Sequence, residues 1–491
     1  MNIRQAKNEI KHTVEAYLKK DEAGDYEIPE IRQRPVLLMG PPGIGKTQIM
    51  EQIARELGVG LVAYTITHHT RQSAVGLPFI REEEFAGKTY SVTEYTMSEI
   101  IASVYRRIRD SGQREGILFI DEINCVSETL APTMLQFLQC KTFGNQKIPE
   151  GWVIVAAGNP PEYNKSVRDF DMVTLDRVRY MTVEADYRVW KEYARAQHIS
   201  GAILSYLELR PGNFYRVEAD VDGMQFVTAR GWEDLSNLMA VYEKLGFLVD
   251  EQVIREYIHH ADVAEDVAAY LDLYRKYQDD YGIPQILDGC VRPEIYARIY
   301  AAAFDERLSV VHLLLDGLAA FFGRAASERA LTDAWYAFLK EYRRQVETAA
   351  DPAECYRTLV AEREQEMLRQ IANDAYTREE AKREKLLMEK LKAAQQEVTK
   401  DSAQRCFEAA KVGFDRQREV LVQTEEAAGA ALEQAFENGE EMVVFVTELT
   451  ITSESARFLS EHTCERYLTY NKQLLIGTRR AELLSELRRD N

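Results

Sequence analysis

The sequence predicts an α/β unit on a parallel sheet, followed by a long, mostly α-helical C-terminal region. Three observations carry this reading. Between about residues 35 and 185, short apolar runs alternate with helical patterns, the spacing of strand–helix–strand units whose helices cover both faces of a sheet. After residue 186 strand signals fade, and apolar residues recur at helical spacing in LSNLMAVYEKL, VAAYLDLYRKY and IYARIYAAAF. From Cys355 to about Asn438 the chain is rich in Glu, Lys, Arg, Ala and Gln and contains no proline, which reads as long, solvated helices or a helical hairpin.

Taken in order, residues 1–30 begin with MNIRQAKNEIKHTVEAYLKK, an amphipathic surface helix with no apolar secretory segment. Residues 31–185 hold the strands PVLLMG, GLVAYTIT, GILFIDE and WVIVAAGN, with helices from Thr47, from Ser98 and near Leu130. Within them, 76–96 reads as an insert of two short strands about an Ala86-Gly87-Lys88 turn. Residues 186–250 and 251–350 are expected as helical regions, and 351–491 as long charged helices ending in an amphipathic stretch from Glu441 to Leu484.

Composition narrows the class. The 491 residues argue for about three folded units at roughly 100–200 residues each. Hydrophobic residues make up 46% and charged residues 29%, ordinary globular values that exclude wholesale disorder and fibrous repeats. With 61 Lys and Arg against 80 Asp and Glu, the net charge of −19 disfavours polyanions, so nucleic acid is an unexpected partner. The longest apolar stretch, Leu308 to Gly323, is broken by His312 and Asp316 and falls short of the roughly 20 residues that span a bilayer. No membrane span and a cytoplasmic location are therefore expected. The six cysteines never form C-x-x-C, which fits reduced thiols.

Chemistry concentrates in four places. GPPGIGKT at residues 40–47 fits G-x-x-x-x-G-K-[ST], follows an apolar strand and opens a helix. Gly40, Gly43 and Gly45 let backbone N–H groups turn inward around a phosphate, and the positive end of the helix favours the anion. Pro41, Pro42, Ile44 and Gln48 complete the nucleotide loop; Lys46 would reach the β and γ phosphates, and Thr47 would hold Mg²⁺. ILFIDE, residues 117–122, ends a strand in two carboxylates, with Asp121 a ligand of the Mg²⁺ shell and Glu122 a base for the attacking water. Asn159 ends WVIVAAGN and is placed to orient that water. LDRVR carries Arg177 and Arg179, either of which suits a finger that bridges phosphate oxygens.

Together GPPGIGKT, FIDEIN (119–124), Asn159-Pro160 and LDR (175–177) resemble the AAA+ ATPases, and within them look most like the MoxR branch, over about residues 30–250. The resemblance implies an AAA+ P-loop core with a helical lid at 186–250, binding Mg-ATP in a ring that is usually hexameric. It implies Glu122 as catalytic base, Asn159 as first sensor, Arg177 as the finger acting on a neighbour with Arg179 the alternative, and Arg230 as a second sensor opening a lid helix. The implied activity is ATP hydrolysis that remodels or assembles a protein partner, with cofactor or metal insertion among the tasks of the branch. A von Willebrand A domain partner would be a separate polypeptide, because this chain has no D-x-S-x-S motif. Two other classes stay open: a nucleotide-gated scaffold with little turnover, and a DNA-acting motor or magnesium-chelatase-like subunit.

Overall fold

The computed structural model describes residues 1–68, 72, 74, 76–143, 146–163, 167, 170–220, 223–290, 292–347, 351–373, 375–394, 400–436, 439–462 and 464–474. The chain divides into two compact units, one of Met1–Val189 with Thr228–Arg230 and one of Trp190–Val227 with Gly231–Asn491.

The first unit is built on five parallel strands: β1 (Val36–Met39), β2 (Gly60–Thr65), β5 (Gly116–Asp121), β8 (Trp152–Gly158) and β9 (Arg179–Thr182), in the order β2-β5-β8-β1-β9. β1 and β8 are buried along their whole length, which explains their uninterrupted apolar sequences VLLM and WVIVAAG. Leu37, Leu118, Ile120, Ile154 and Ala156 share one face and pack against Ile100, Ile101 and Val104 of the helix Glu99–Ser111 and Phe137 of the helix Ala131–Cys140. The chain leaves β1 for the far edge at β2 and returns inward through β5 and β8, so the strand order switches at β1. Open α/β sheets bind ligands beyond the carboxyl ends of strands at such a point.

Four strands of this sheet are legible as apolar runs; β9 is not, since RYMT has one buried residue and follows a short helix, Met172–Leu175. The N-terminal helix Ile3–Leu18 has an Asn2–Gln5 capping box and buries Ala6, Ile10, Val14 and Tyr17. The insert is an antiparallel hairpin of β3 (Pro78–Phe85) and β4 (Lys88–Tyr95). Ala86 and Gly87 both take positive φ, 51° and 76°, which matches a two-residue turn to strand twist. A second small hairpin joins β6 (Thr142–Phe143) to β7 (Gln146–Lys147).

The second unit is helical with one exception, the hairpin of β10 (Arg216–Asp220) and β11 (Gly223–Val227), which no strong alternation announces. Its central element is the helix Phe304–Val346, 43 residues long. By length and composition an apolar window of this helix could cross a membrane, but 56% of the window is buried inside the unit, with Val310, Val311, Leu314 and Leu318 nearly inaccessible. The charged region forms the helices Pro352–Ala372, Arg378–Ala394 and Lys400–Phe436. The first two bury Tyr356, Leu359, Leu387 and Leu391 against Trp335 and Phe338.

Candidate nucleotide site

The loop 40–47 leaves β1 and enters the helix Lys46–Leu57, whose N-cap is the left-handed Gly45 (φ 90°) with no side-chain cap. The first-turn N–H groups of any helix lack intrahelical acceptors, so this end offers uncapped donors to an anion. Gly43 also has positive φ, 74°, and a Cβ there would press on Thr228 at 3.0 Å. At Gly40 a Cβ would meet the Val183 carbonyl at 2.9 Å. The loop therefore needs glycine for both conformation and space. Pro41 and Ile44 are buried, and the exposed Gln48 brings its Oε1 within 3.2 Å of a Cβ built at Gly45.

Lys46 is 8% exposed. Its Nζ donates to the Gly40 carbonyl at 2.7 Å, the Pro41 carbonyl at 2.8 Å and Asn159 Oδ1 at 2.8 Å. Burial pushes its pKa down to about 8; Asp121 and Glu122 oppose that fall and the positive charge of Arg230 adds to it. Thr47 Oγ1 donates to Asp121 Oδ2 at 3.0 Å. A hydroxyl beside a carboxylate is a hard-oxygen pair suited to Mg²⁺, which takes only one or two carboxylates and keeps water and phosphate as its other ligands.

Glu122 follows in the left-handed region at φ 57°, uncommon for a residue with a Cβ. The turn directs its backbone N–H to Asp121 Oδ1 at 2.9 Å, and its Oε2 accepts from Thr67 Oγ1 at 2.8 Å. Asn159 is clamped by a residue to which the sequence reading gave no role: Asn124 Nδ2 donates to the Asn159 carbonyl at 2.7 Å, and Asn124 Oδ1 accepts from the Asn159 N–H at 3.3 Å. Asn124 is 3% exposed. Gly158 leaves room for it, since a Cβ there would lie 2.5 Å from Asn124 Oδ1. The signal available in sequence was a buried-looking amide directly after the strand, in FIDEIN.

The two candidate arginines occupy different surroundings. Arg179, on β9, donates to Thr13 Oγ1 at 2.8 Å and pairs with Glu9, so it fastens the N-terminal helix. Arg177 is exposed, and among the described residues its hydrogen bond is from Nη1 to the neutral amide of Gln139. Arg230 is exposed; its backbone N–H donates to the Gly43 carbonyl at 3.2 Å, which ties it to the phosphate loop. The structure thus gathers Lys46, Thr47, Asp121, Glu122, Asn159 and Arg230 at one end of the sheet and leaves Arg177 facing outward.

Comparison with known proteins bears on this segment. Residues 35–178 match the AAA domain of the dynein-related subfamily. Both the match and the geometry support an AAA+ P-loop ATPase domain here. The chain is also 35% identical over 94 residues to the ATPase family gene 2 protein homolog B of Bos taurus, which covers 19% of this chain and 10% of that protein. The chain therefore spans about a tenth of that relative's length. The AAA match implies that the loop binds ATP.

Proposed function

We propose that this protein hydrolyses Mg-ATP in a homo-oligomeric, hexameric ring and uses the cycle to remodel or assemble a protein partner, as MoxR-like ATPases do. The observation that carries the reading is the convergence of Lys46, Thr47, Asp121 and Asn159 on one uncapped helix end at the sheet's switch point. In this reading Lys46 leaves the Gly40 and Pro41 carbonyls to meet the phosphates. Thr47 and Asp121 would hold Mg²⁺, which supplies charge neutralisation at the β and γ phosphates. Glu122, aimed by Thr67, accepts the proton of the attacking water, and Asn159 orients that water. Catalysis here is positioning and electrostatics, with no covalent step for the protein to perform.

Arg177 is the finger offered to a neighbouring subunit, and Arg230 is the second sensor beside the phosphate loop. Two facts favour Arg177 over Arg179: its exposure, and the engagement of Arg179 with Glu9 and Thr13. The client is a protein, on the charge balance of −19, and the branch resemblance points to a separate von Willebrand A domain polypeptide and to cofactor or metal insertion.

Glu122→Gln tests the proposal. The variant should bind ATP, lose hydrolysis by about 10²–10⁴-fold, and accumulate as a complex near six copies in light scattering, from which clients can be captured. A variant that hydrolyses like the parent, or stays monomeric at saturating Mg-ATP, removes the ring mechanism. DNA-stimulated turnover of the parent at physiological salt would favour the DNA-acting reading instead.

A further inference from the structure

The helical unit contains a partly open cavity of about 1020 Å³, at the upper end of the range of small-molecule sites, about 300–1,000 Å³. Leu204, Leu271, Ile283, Leu287 and Phe322 make much of its wall apolar. Into that wall the helix Phe304–Val346 projects two ionisable side chains one turn apart, His312 and Asp316. His312 is 2% exposed, and its Nε2 has no hydrogen-bond partner among the described residues. Burial, helped by Arg195 and Lys191, pushes its pKa down to about 3, so the imidazole is neutral.

Asp316 accepts a hydrogen bond from the Tyr274 hydroxyl at 2.9 Å. Burial pushes its carboxyl up to about 7, against the opposing pull of Tyr274 and Arg195. The cations nearby are already committed: Lys191 pairs with Glu208 and, at 2.7 Å, with Glu448, and Arg195 pairs with Glu448. Asp316 is thus left as an acid with no ion-pair partner among the described residues. The chain also makes room for it. A Cβ at Gly201, the first residue of the helix Gly201–Leu209, would collide with the Asp316 carboxylate.

We propose that this cavity is a binding site for a small amphipathic amine, its apolar body against the leucine, isoleucine and phenylalanine wall and its ammonium on Asp316. His312 Nε2 offers the second polar contact. A metal ion is a poorer occupant, because the described residues contain no cluster of three or more His, Cys, Asp or Glu placed to hold one.

Asp316 is met by Tyr274 from the helix Ala261–Tyr281 and by the charge of Arg195 from the helix Tyr187–Ala196, with His312 one turn away on its own helix; Glu448, from the helix Glu440–Ile451, holds Arg195. Gly201 and Leu287 bring no charge. His198 and Glu454, 3.7 Å apart, also line the cavity, as do Glu243, Asp288 and Arg275, the last paired with Asp272, so any pH response must be read as a difference between the parent and a variant lacking only the Asp316 charge.

Calorimetric titration of the full chain with 4-phenylbutylamine and with its neutral analogue 4-phenylbutan-1-ol tests the site. The parent should bind the amine about tenfold more tightly than the alcohol near pH 8, the ratio expected of a hydrogen bond to a charged group. Asp316→Asn, which preserves shape, should abolish that preference, and with it an about tenfold rise in amine affinity between pH 6 and 8. Ala320→Trp, at an exposed position of the cavity wall, should weaken both ligands and guards against misfolding of the first variant. Equal affinity for the two ligands in the parent, no saturable binding of either, a preference that survives Asp316→Asn, or binding indifferent to Ala320→Trp would each overturn the proposal.

Discussion

Replacing Lys46 with methionine keeps all but the last atom of the side chain's length and removes its charge, and the structure says how the consequence depends on pH. Burial lowers the folded-state pKa from 10.5 to about 8. In the unfolded chain the lysine holds its proton up to the ordinary value. Below pH 8 both states are charged, and the folded protein bears the cost of a buried ammonium, about 3 kcal/mol at 1.36 kcal/mol per pH unit. Between about pH 8 and 10.5 the unfolded state binds more protons than the folded one, so stability rises with pH and the cost disappears. Methionine also leaves the Gly40, Pro41 and Asn159 oxygens without their donor, about 1 kcal/mol each, at every pH; the parent gives up one of the three bonds when the ammonium becomes a neutral amine, about 1 kcal/mol against the gain. Calorimetric unfolding of nucleotide-free parent and Lys46→Met at about pH 7.5, 9 and 10.5, with the relevant transition identified by its shift on adding ADP to the parent, isolates the difference. The parent should gain about 2 kcal/mol on the variant across that range. A difference that stays flat, or moves the other way, would refute the picture of a charge held at cost for the nucleotide.

The same lysine should govern affinity: ATP binding by the parent should weaken above about pH 8 by as much as tenfold per pH unit, because only the protonated form meets the phosphates, while Lys46→Arg stays level. Arg177→Ala should lower turnover by about 10³–10⁵-fold, and mixing it with Lys46→Ala should restore part of the activity at junctions that combine an intact loop with an intact arginine; verified mixed rings with no recovery would mean that Arg177 acts in cis, that Arg179 is the finger, or that a ring tolerates no dead subunit, and the same mixture made with Arg179→Ala separates the second case. Arg179→Ala should instead loosen the N-terminal helix at a cost of about 1 kcal/mol or less, since its partner Glu9 is 45% exposed, and leave turnover near the parent value. Asn124→Ala removes both bonds to the Asn159 backbone and should lower stability by about 2–3 kcal/mol and turnover by about 10–100-fold through the displaced Asn159; unchanged turnover would separate Asn159 from water positioning.

Much of the nucleotide site was written in local sequence. Gly40, Gly43 and Gly45 declare a loop that needs positive φ and close approach, Lys46 and Thr47 follow at the spacing a phosphate requires, and ILFIDE and WVIVAAGN are strands because their residues are buried on both faces. These are short-range facts, decided within a few residues by backbone sterics and burial. Asn124 and Thr67 did not show their roles, because Asn124 acts on the backbone of a residue 35 positions away and Thr67 on a side chain 55 positions away. The choice between Arg177 and Arg179 was likewise invisible: both are arginines two residues apart, and only the packing of the N-terminal helix beside β9 commits one of them to Glu9 and Thr13. β9 itself is a strand because β1 offers it an open edge, which no alternation in RYMT records. In the helical half, period and composition determined where helices run. That His312 and Asp316 face a cavity, one neutral and one without a counter-ion, follows from which helices surround them and which cations are already paired, and such long-range accounting of charge and space is settled only when the chain is folded.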